Sequence, residues 1–412
     1  MIRIILLLNC YLLYITVLAQ DEHSRLQFQE DSTLAVRYFN IADTSYYNVE
    51  KCIYYSNLAL PLLQQTQQWE KLIYVKAGLS YCYNILERYD SLEINNREAF
   101  DLAKLHLPEE SYLRMATLNN LAMVYNVVYQ DYGRALELYR AALVVYEKED
   151  SNPIFQGNIL KNIGRLLVRK GDFSQGRIYL QDALNIYREG IAQDNIYNAS
   201  NLAFRVAEVH QDLARVARYQ KDFGAAKNYL QNMLRLMDDN TPAFPSRYYL
   251  YAYTQLAEVF LEEGSILEAE TYIVNAFQLA KLTPDQEAEI FKVQSKAFAH
   301  KKDWTTASET VRKAIGKISA EKVVDIAEQQ GLHAHYQTEK GELQQALDLI
   351  NKGLLMLTKV SEVNKLLQQP VSNWNLLSPL TAIQLVKERA EILQKIALAE
   401  GDVSYTQQAL QC

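Results

Sequence analysis

The 412-residue sequence contains little glycine and little proline, with 14 and 8 residues, below the average usage of roughly 7% and 5%. This shortage excludes a collagenous, linker-rich or disordered chain. It also disfavours Rossmann, P-loop and barrel enzymes, because those folds need glycine-rich turns between many strands. Tyrosine is abundant, with 29 residues, and 49% of the residues are hydrophobic. The composition therefore indicates a long all-α array with aromatic contacts.

Residues 1–19 have the pattern of a secretory signal peptide. Arg3 supplies a positive charge, residues 4–18 are apolar apart from Asn9, and Val17 and Ala19 suit a cleavage site. The alternative is an uncut membrane anchor. The apolar run of about 15 residues is, however, shorter than the ~20 residues that a spanning helix needs. We therefore predict export to the periplasm or the extracellular space.

Cysteine is scarce, with four residues. Cleavage of the signal peptide removes Cys10 and leaves Cys52, Cys82 and Cys412. Cys52 and Cys82 occupy helix positions where small apolar residues are expected, which favours buried thiols. A disulfide between these two remains the alternative in an oxidising compartment.

The sequence repeats a fixed spacing of small residues. Twelve residues separate Gly164 from Gly176, seven separate Gly176 from Ala183, and the dipeptide Gly171-Asp172 lies between the first two. The same spacing recurs in Ala214, Ala226 and Met233, in Ala257, Ala269 and Ala276, in Ser295, Ala307 and Ala314, and in Ala334, Ala346 and Gly353. Ala122, Ala135 and Ala142 fit it with one extra residue.

This spacing has a direct physical meaning. Two antiparallel helices pack closely only where small residues lie at their crossing, and a Gly or Asp turn reverses the chain between them. Bulky residues on either side, such as Leu121, Tyr125, Tyr139 and Leu180, fill the remaining space. Each hairpin leaves an apolar face that only the next hairpin covers, so the sequence predicts a stack of hairpins.

A small residue, an apolar residue, a G-D-F/Y turn and a following Ala-Leu pair resemble the tetratricopeptide repeat (TPR). The resemblance covers nearly all of residues 31–412 and implies a right-handed α-solenoid of antiparallel helix hairpins. The period of about 38–50 residues exceeds the usual 34, as in secreted bacterial TPR proteins, so a bacterial envelope is expected. We predict an array over 31–367, a linker over 368–380 and a final, incomplete hairpin over 381–412.

The C-terminal stretch SPLTAIQLVKERAEILQKIALAEGDVSYTQQALQC carries a second resemblance. It is similar to the last repeat before the catalytic domain of caspase-like CHAT proteins, whose N-terminal halves are TPR arrays. This resemblance implies a regulatory arm whose catalytic domain is absent from the present sequence.

The sequence contains no motif that indicates catalysis. It has no GxGxxG, Walker loop, HExxH or GxSxG motif. His333 and His335 are two residues apart, so on a helix they point to different faces and make a poor metal pair. We expect no enzyme activity, no cofactor and no metal, and the net charge of −7 disfavours nucleic-acid binding.

The TPR resemblance also implies where a peptide would bind. In peptide-binding TPR proteins the groove contacts come from first-helix positions three before, one after and four after the small residue. Applied to Ala122, Gly164, Ala214 and Ser295, this rule gives twelve positions, and the nine polar residues among them are the predicted peptide-binding residues: Asn119, Asn126, Lys161, Arg165, Gln211, Arg215, Arg218, Lys292 and Lys296.

An acidic protein thus places a row of cations on its predicted inner face, with Asn119 and Asn126 available to an extended backbone. Convergent cations favour carboxylates, which indicates a groove for acidic or C-terminal peptide segments. The alternative is a charged helix face paired with carboxylates such as Glu208 and Asp212. The first functional hypothesis is an exported scaffold with a protein or peptide partner. The others are the regulatory arm of a CHAT-type cysteine peptidase and the sensory arm of an envelope signalling protein. The oligomeric state is left open.

Overall fold

The computed structural model describes residues 27–42, 48–86, 88–148, 153–192, 199–239, 244–358 and 378–410. The predicted signal peptide, Cys10, Cys412 and residues 368–377 of the predicted linker lie outside this part of the chain. Every regular element within it is an α-helix. The predicted fold class, an all-α solenoid of helix hairpins, is confirmed.

The described residues form nine consecutive helix pairs, each with a first and a second helix. The helices are α1 (27–42), α2 (Val49–Gln65), α3 (Trp69–Ile85), α4 (Tyr89–His106), α5 (Tyr112–Val127), α6 (Tyr132–Lys148), α7 (Pro153–Arg169), α8 (Phe173–Ala192), α9 (Ala199–Tyr219), α10 (Phe223–Asp238), α11 (Ser246–Glu262), α12 (Ile266–Phe277), α13 (Pro284–His300), α14 (Trp304–Lys317), α15 (Val323–Glu339), α16 (Leu343–Leu357), α17 (Pro379–Glu400) and α18 (Val403–Leu410).

The turns inside the hairpins explain the G-D motif of the sequence. Gly171 adopts a left-handed φ of 83°, which glycine reaches without steric cost. Asp172 then accepts a hydrogen bond from the backbone N–H of Gln175 at 3.1 Å and so caps α8. Lys302 takes the left-handed position in the turn before α14, and Asp303 caps that helix through the N–H of Thr306.

The small residues lie where the two helices of a hairpin cross. A Cβ atom added to Gly164 would come within 2.8 Å of Leu180 and 3.0 Å of the Gly176 carbonyl oxygen. Ala122, Ala257 and other alanines at the corresponding positions are fully buried. The predicted crossing is therefore confirmed at atomic detail.

Neighbouring hairpins share their apolar cores. Met115 of α5, Tyr139 of α6 and Ile163 of α7 belong to one buried cluster, and Leu250 and Ile290 join α11 and α13 in the same way. The first helix of the next hairpin therefore covers the face that the previous hairpin leaves open.

The chain divides into two compact units, unit 1 over Met1–Val216 and unit 2 over Ala217–Cys412. The division falls inside the predicted array 31–367, at a point where no change of composition had indicated it.

Helix α17 in unit 2 starts earlier than the sequence predicted. Pro379 and Leu380, which we expected in the linker, form its first residues, because proline suits the first helical turn, where its missing N–H has no partner to lose. Further along the helix, Leu385 packs between Gly331 of α15 and Gly353 of α16. A Cβ added to either glycine would lie 2.7 or 3.1 Å from the Leu385 methyl groups.

Candidate functional site

The predicted peptide-binding residues lie on first helices of both units. In unit 1, α5 carries Asn119 and Asn126, α7 carries Lys161 and Arg165, and α9 carries Gln211 and Arg215. In unit 2, Arg218 belongs to the last turn of α9, and Lys292 and Lys296 belong to α13. The unit 1 residues therefore lie on three consecutive first helices.

Lys161 forms a buried ion pair with Glu208 of α9. Lys161 Nζ lies 2.5 Å from Glu208 Oε2, and the two side chains are 6% and 14% exposed. Burial lowers the pKa of Lys161 to about 8, although Glu208 opposes this shift. Burial raises the pKa of Glu208, but Lys161 and Arg165 outweigh it and leave the value at about 2. Both groups are therefore charged at neutral pH.

A second ion pair follows one helical turn further on. Arg165 of α7 donates to the carboxylate of Asp212 on α9. The other oxygen of Asp212 lies 3.7 Å from Arg215, whose side chain is 44% exposed. Since Glu208 and Asp212 are four residues apart, they match the four-residue spacing of Lys161 and Arg165.

Asparagines join the earlier first helices of unit 1. Asn162 of α7 donates to Asn119 of α5 at 2.9 Å, and Asn120 donates to the carbonyl of Ala77 on α3 at 3.1 Å. Asn126 accepts from the Arg169 guanidinium at 3.2 Å. These contacts use only part of the donor and acceptor capacity of each amide.

We call these side chains of unit 1 the polar row. Its members are Asn119, Asn120, Asn126, Lys161, Asn162, Arg165, Arg169, Glu208, Asp212 and Arg215. Chemically, the polar row offers guanidinium groups for carboxylates and amide groups for an extended backbone.

The structure separates the predicted residues by exposure. Lys161 and Asn126 are each 5% exposed, so neither is open to solvent while its present contacts hold. Asn119 and Gln211 are half-buried, whereas Arg215 is exposed. The pairing with Glu208 and Asp212, which the sequence offered as the alternative, is thus present in the structure. The peptide-binding role of the nine residues stays a prediction.

In unit 2 the predicted cations also contact carboxylates. Arg218 lies 2.5 Å from both Glu258 and Glu262, and Lys296 contacts the other oxygen of Glu258. Burial raises the pKa of Glu258, but Lys296 and Arg218 outweigh this effect and leave the pKa at about 2.

Lys292 lies one helical turn after Glu289 on α13. Burial raises the pKa of Glu289, although a hydrogen bond from Thr254 at 3.1 Å and the charge of Lys292 oppose this shift. Lys292 therefore acts on a carboxyl group whose charge is disfavoured by burial.

The sequence spacing also marks polar residues that contact the neighbouring first helix, and the nine-residue prediction missed them. Asn120, Asn162 and Asp212 each lie two residues before the small crossing residue of their helix, and each bonds to the preceding first helix. Ser80 is the buried small residue of α3, and Tyr81 lies one residue after it, so the peptide-binding rule of three before, one after and four after would have found Tyr81 if applied to α3. Tyr81 donates to Glu208 at 3.3 Å.

The cysteine and histidine pairs also have definite places. Cys52 and Cys82 are both buried thiols in one cluster with Val49, as the favoured alternative predicted. His333 hydrogen-bonds Ser308 at 2.9 Å, whereas His335 packs edge-on against Trp304.

Among the described residues, no three His, Cys, Asp or Glu side chains come together as a metal site requires. None of the described helices has the length and apolar composition that a membrane crossing needs.

A family comparison supports the type of repeat that the sequence resembles. The model described as tetratricopeptide repeat matches residues 113–189. These residues are similar to tetratricopeptide repeats. The match extends from α5 into α8 and supports a TPR protein. The similarity of the C-terminal stretch to CHAT-associated repeats stays a prediction.

The fold is similar to solved helical-repeat structures. A Rap protein complexed with competence and sporulation factor has a TM-score of 0.53 and 13% identity, over 90% of this chain and 99% of that one. The apo form of RapI has a TM-score of 0.53 and 11% identity, over 82% and 95%. A TPR protein from Parabacteroides merdae has a TM-score of 0.44 and 13% identity, over 74% and 99%.

No curated protein matches the sequence. At these identities the solved structures show the fold alone. The TPR match and the shared helical-repeat fold support a protein-interaction scaffold.

Proposed function

We propose that this chain is an exported, non-catalytic scaffold that binds the acidic or C-terminal segment of a protein partner through the polar row of unit 1. The observation that carries the proposal is the exposure of two arginines of the polar row, Arg169 beside Asn126 and Arg215 beside Asp212. Exposed guanidinium groups exchange partners readily and bind carboxylates in a bidentate way. Lys161 and Arg165 hold α7 against α9 behind them.

The solved relative with a bound factor adds support at the level of the fold. The Rap protein is complexed with competence and sporulation factor, which shows that a fold of this kind accommodates a binding partner. The specificity for acidic segments rests on the polar row itself.

Peptide titration tests the proposal. The probe is a fluorescent decapeptide of alternating Glu and Gly with a free C-terminus, compared with a Gln-containing, amidated version. We expect the acidic peptide to bind, and the double variant Arg169→Ala, Arg215→Ala to weaken binding about tenfold, since each exposed ion pair contributes up to about 1 kcal/mol and roughly 1.4 kcal/mol corresponds to a factor of ten.

The matched control replaces two exposed arginines of the second helix α6, Arg134→Ala and Arg140→Ala. These lie outside the polar row, so the affinity should stay at the wild-type value. Equal affinity of the wild type and the Arg169/Arg215 variant, or of the acidic and neutral peptides, contradicts the proposed site.

Export is tested separately, because it rests on residues 1–19. The full chain is expressed in a bacterial host, and the mature N-terminus is determined by mass spectrometry of the exported fraction. We expect the chain to start at Gln20. Retention of an intact N-terminus in the membrane fraction would support the uncut anchor instead.

A further inference from the structure

The hydrogen bond between Tyr81 and Glu208 joins two first helices that are not neighbours along the stack. Tyr81 belongs to α3 and Glu208 to α9, with α5 and α7 between them. Helix α3 contacts α5, α5 contacts α7, and the Lys161–Glu208 ion pair joins α7 to α9. Packed helices lie 8–10 Å apart, so a flat row would separate α3 from α9 by roughly 27 Å. Within unit 1 the first helices therefore curve, and Tyr81 and Glu208 meet on the inner side.

One carboxylate holds this arrangement together. Glu208 Oε1 accepts from the Tyr81 hydroxyl at 3.3 Å, and Oε2 accepts from Lys161 at 2.5 Å. Glu208 thus connects α3, α7 and α9. Because its side chain is 14% exposed, water screens these contacts only weakly. A ligand carboxylate that reaches Lys161 must displace Glu208 first.

We propose that the Tyr81–Glu208 bridge is an autoinhibitory contact that closes the inner side of unit 1. Glu208 takes the place of a partner's carboxylate on Lys161, and the hydrogen bond from Tyr81 of α3 holds Glu208 in this position. A partner with a competing carboxylate opens the bridge. The regulatory part rests on the proposed function, whereas the closure of α3 on α9 stands independently of it.

Hydrogen exchange of the full chain tests the closure. Tyr81→Phe removes one hydroxyl and keeps the ring that packs against Cys52 and Cys82. We expect amide exchange in residues 76–85 and in α9 to become about tenfold faster, because a hydrogen bond to a charged group is lost. Unchanged exchange in both segments overturns the proposal.

Tyr249→Phe is the matched control. Its hydroxyl also donates to a carboxylate, Asp238, at 3.2 Å, but the two residues belong to successive helices of unit 2. This variant should leave exchange in residues 76–85 unchanged. Glu208→Gln is a second test variant, since the amide oxygen keeps an acceptor for Tyr81 while the charge is removed, and we expect faster exchange in α9 here as well.

Binding of the same Glu-Gly decapeptide tests the regulation. If the bridge keeps most molecules closed, opening it raises the apparent affinity in proportion to the open fraction. We expect Tyr81→Phe to bind about tenfold more tightly, and Tyr249→Phe to match the wild type. Faster exchange without tighter binding, while the wild type does bind, overturns the autoinhibitory role alone. If neither the wild type nor any variant binds the peptide, the proposed function and the regulatory role are both overturned. The closure of α3 on α9 is then judged by hydrogen exchange alone.

Discussion

At the scale of single residues, the hairpin turns that the structure describes completely, from the one between α5 and α6 onward, each contain a residue with a left-handed backbone. Glycine supplies it at Gly171, Gly264 and Gly341, whereas Lys221 and Lys302 occupy the same place in other turns. A side chain in this region costs roughly 1–2 kcal/mol because its Cβ approaches the following carbonyl oxygen. The lysine turns therefore retain strain that the glycine turns avoid.

We expect Lys302→Gly to raise the free energy of unfolding by about 0.5–1 kcal/mol, since part of this strain is relieved while the unfolded chain gains freedom. The measurement is urea denaturation followed by circular dichroism. Lys302→Ala is the control, because it removes the lysine side chain and keeps the Cβ atom. If alanine stabilises as much as glycine, the backbone explanation is wrong.

The crossing glycines give a second prediction at this scale. Gly164→Ala should lower the free energy of unfolding by about 1–3 kcal/mol, because the new Cβ meets the Gly176 carbonyl, which is backbone and does not move aside. Gly78 on α3 is the matched control, since nothing lies within 4 Å of its added Cβ. Gly78→Ala should stabilise unit 1 by up to about 1 kcal/mol, and the same sign for both variants would refute the close crossing.

At the scale of the helices, one buried leucine of α17 packs between two glycines of other helices. Leu385 is 2% exposed and packs where Gly331 and Gly353 leave room for it. We expect Leu385→Ala to cost about 2–5 kcal/mol, from the lost transfer energy and the cavity. Leu398 on the same helix is 87% exposed, so Leu398→Ala should change stability by less than about 0.5 kcal/mol. Thermal and urea denaturation measure the stability of both variants. Similar losses of stability in the two would contradict this packing.

At the scale of the whole molecule, buried ion pairs make the free energy of unfolding depend on pH in the acidic range. Glu208 in unit 1 and Glu258 in unit 2 both have a pKa of about 2 in the fold, below the unfolded value of about 4.3. The unfolded chain therefore takes up protons first as the pH falls. The stabilisation is complete above about pH 5 and is lost between roughly pH 4 and 2, by on the order of 3 kcal/mol for each group.

Glu208→Gln tests this prediction. We expect it to lower stability at pH 7, because Lys161 loses its buried partner, and to flatten the decrease between pH 5 and 2 in urea titrations at each pH. Glu137→Gln is the control, since Glu137 is 70% exposed and should leave the acid dependence as steep as in the wild type. An equally steep decrease in Glu208→Gln would show that this carboxylate does not carry the effect.

The hairpins were predictable because their signals are local. Gly164 and Gly176 are twelve residues apart, and the turn that brings them together lies between them, so spacing alone indicates the contact. The buried pairing of Lys161 was less predictable. Glu208 lies 47 residues away on another hairpin, and the rule taken from peptide-binding repeats describes positions on one helix without the partners that the next helix brings.

The sequence by itself determined the helices, the turns and the small residues at the crossings, because these depend on backbone sterics and on the apolar spacing within one hairpin. Only the tertiary structure decided which of the predicted cations are neutralised inside the protein and which, like Arg215, remain exposed. It also decided that Tyr81 reaches Glu208, since this contact depends on the curvature that four successive first helices of unit 1 accumulate. That curvature is set by packing between helices distant in the chain, so no single stretch of sequence encodes it.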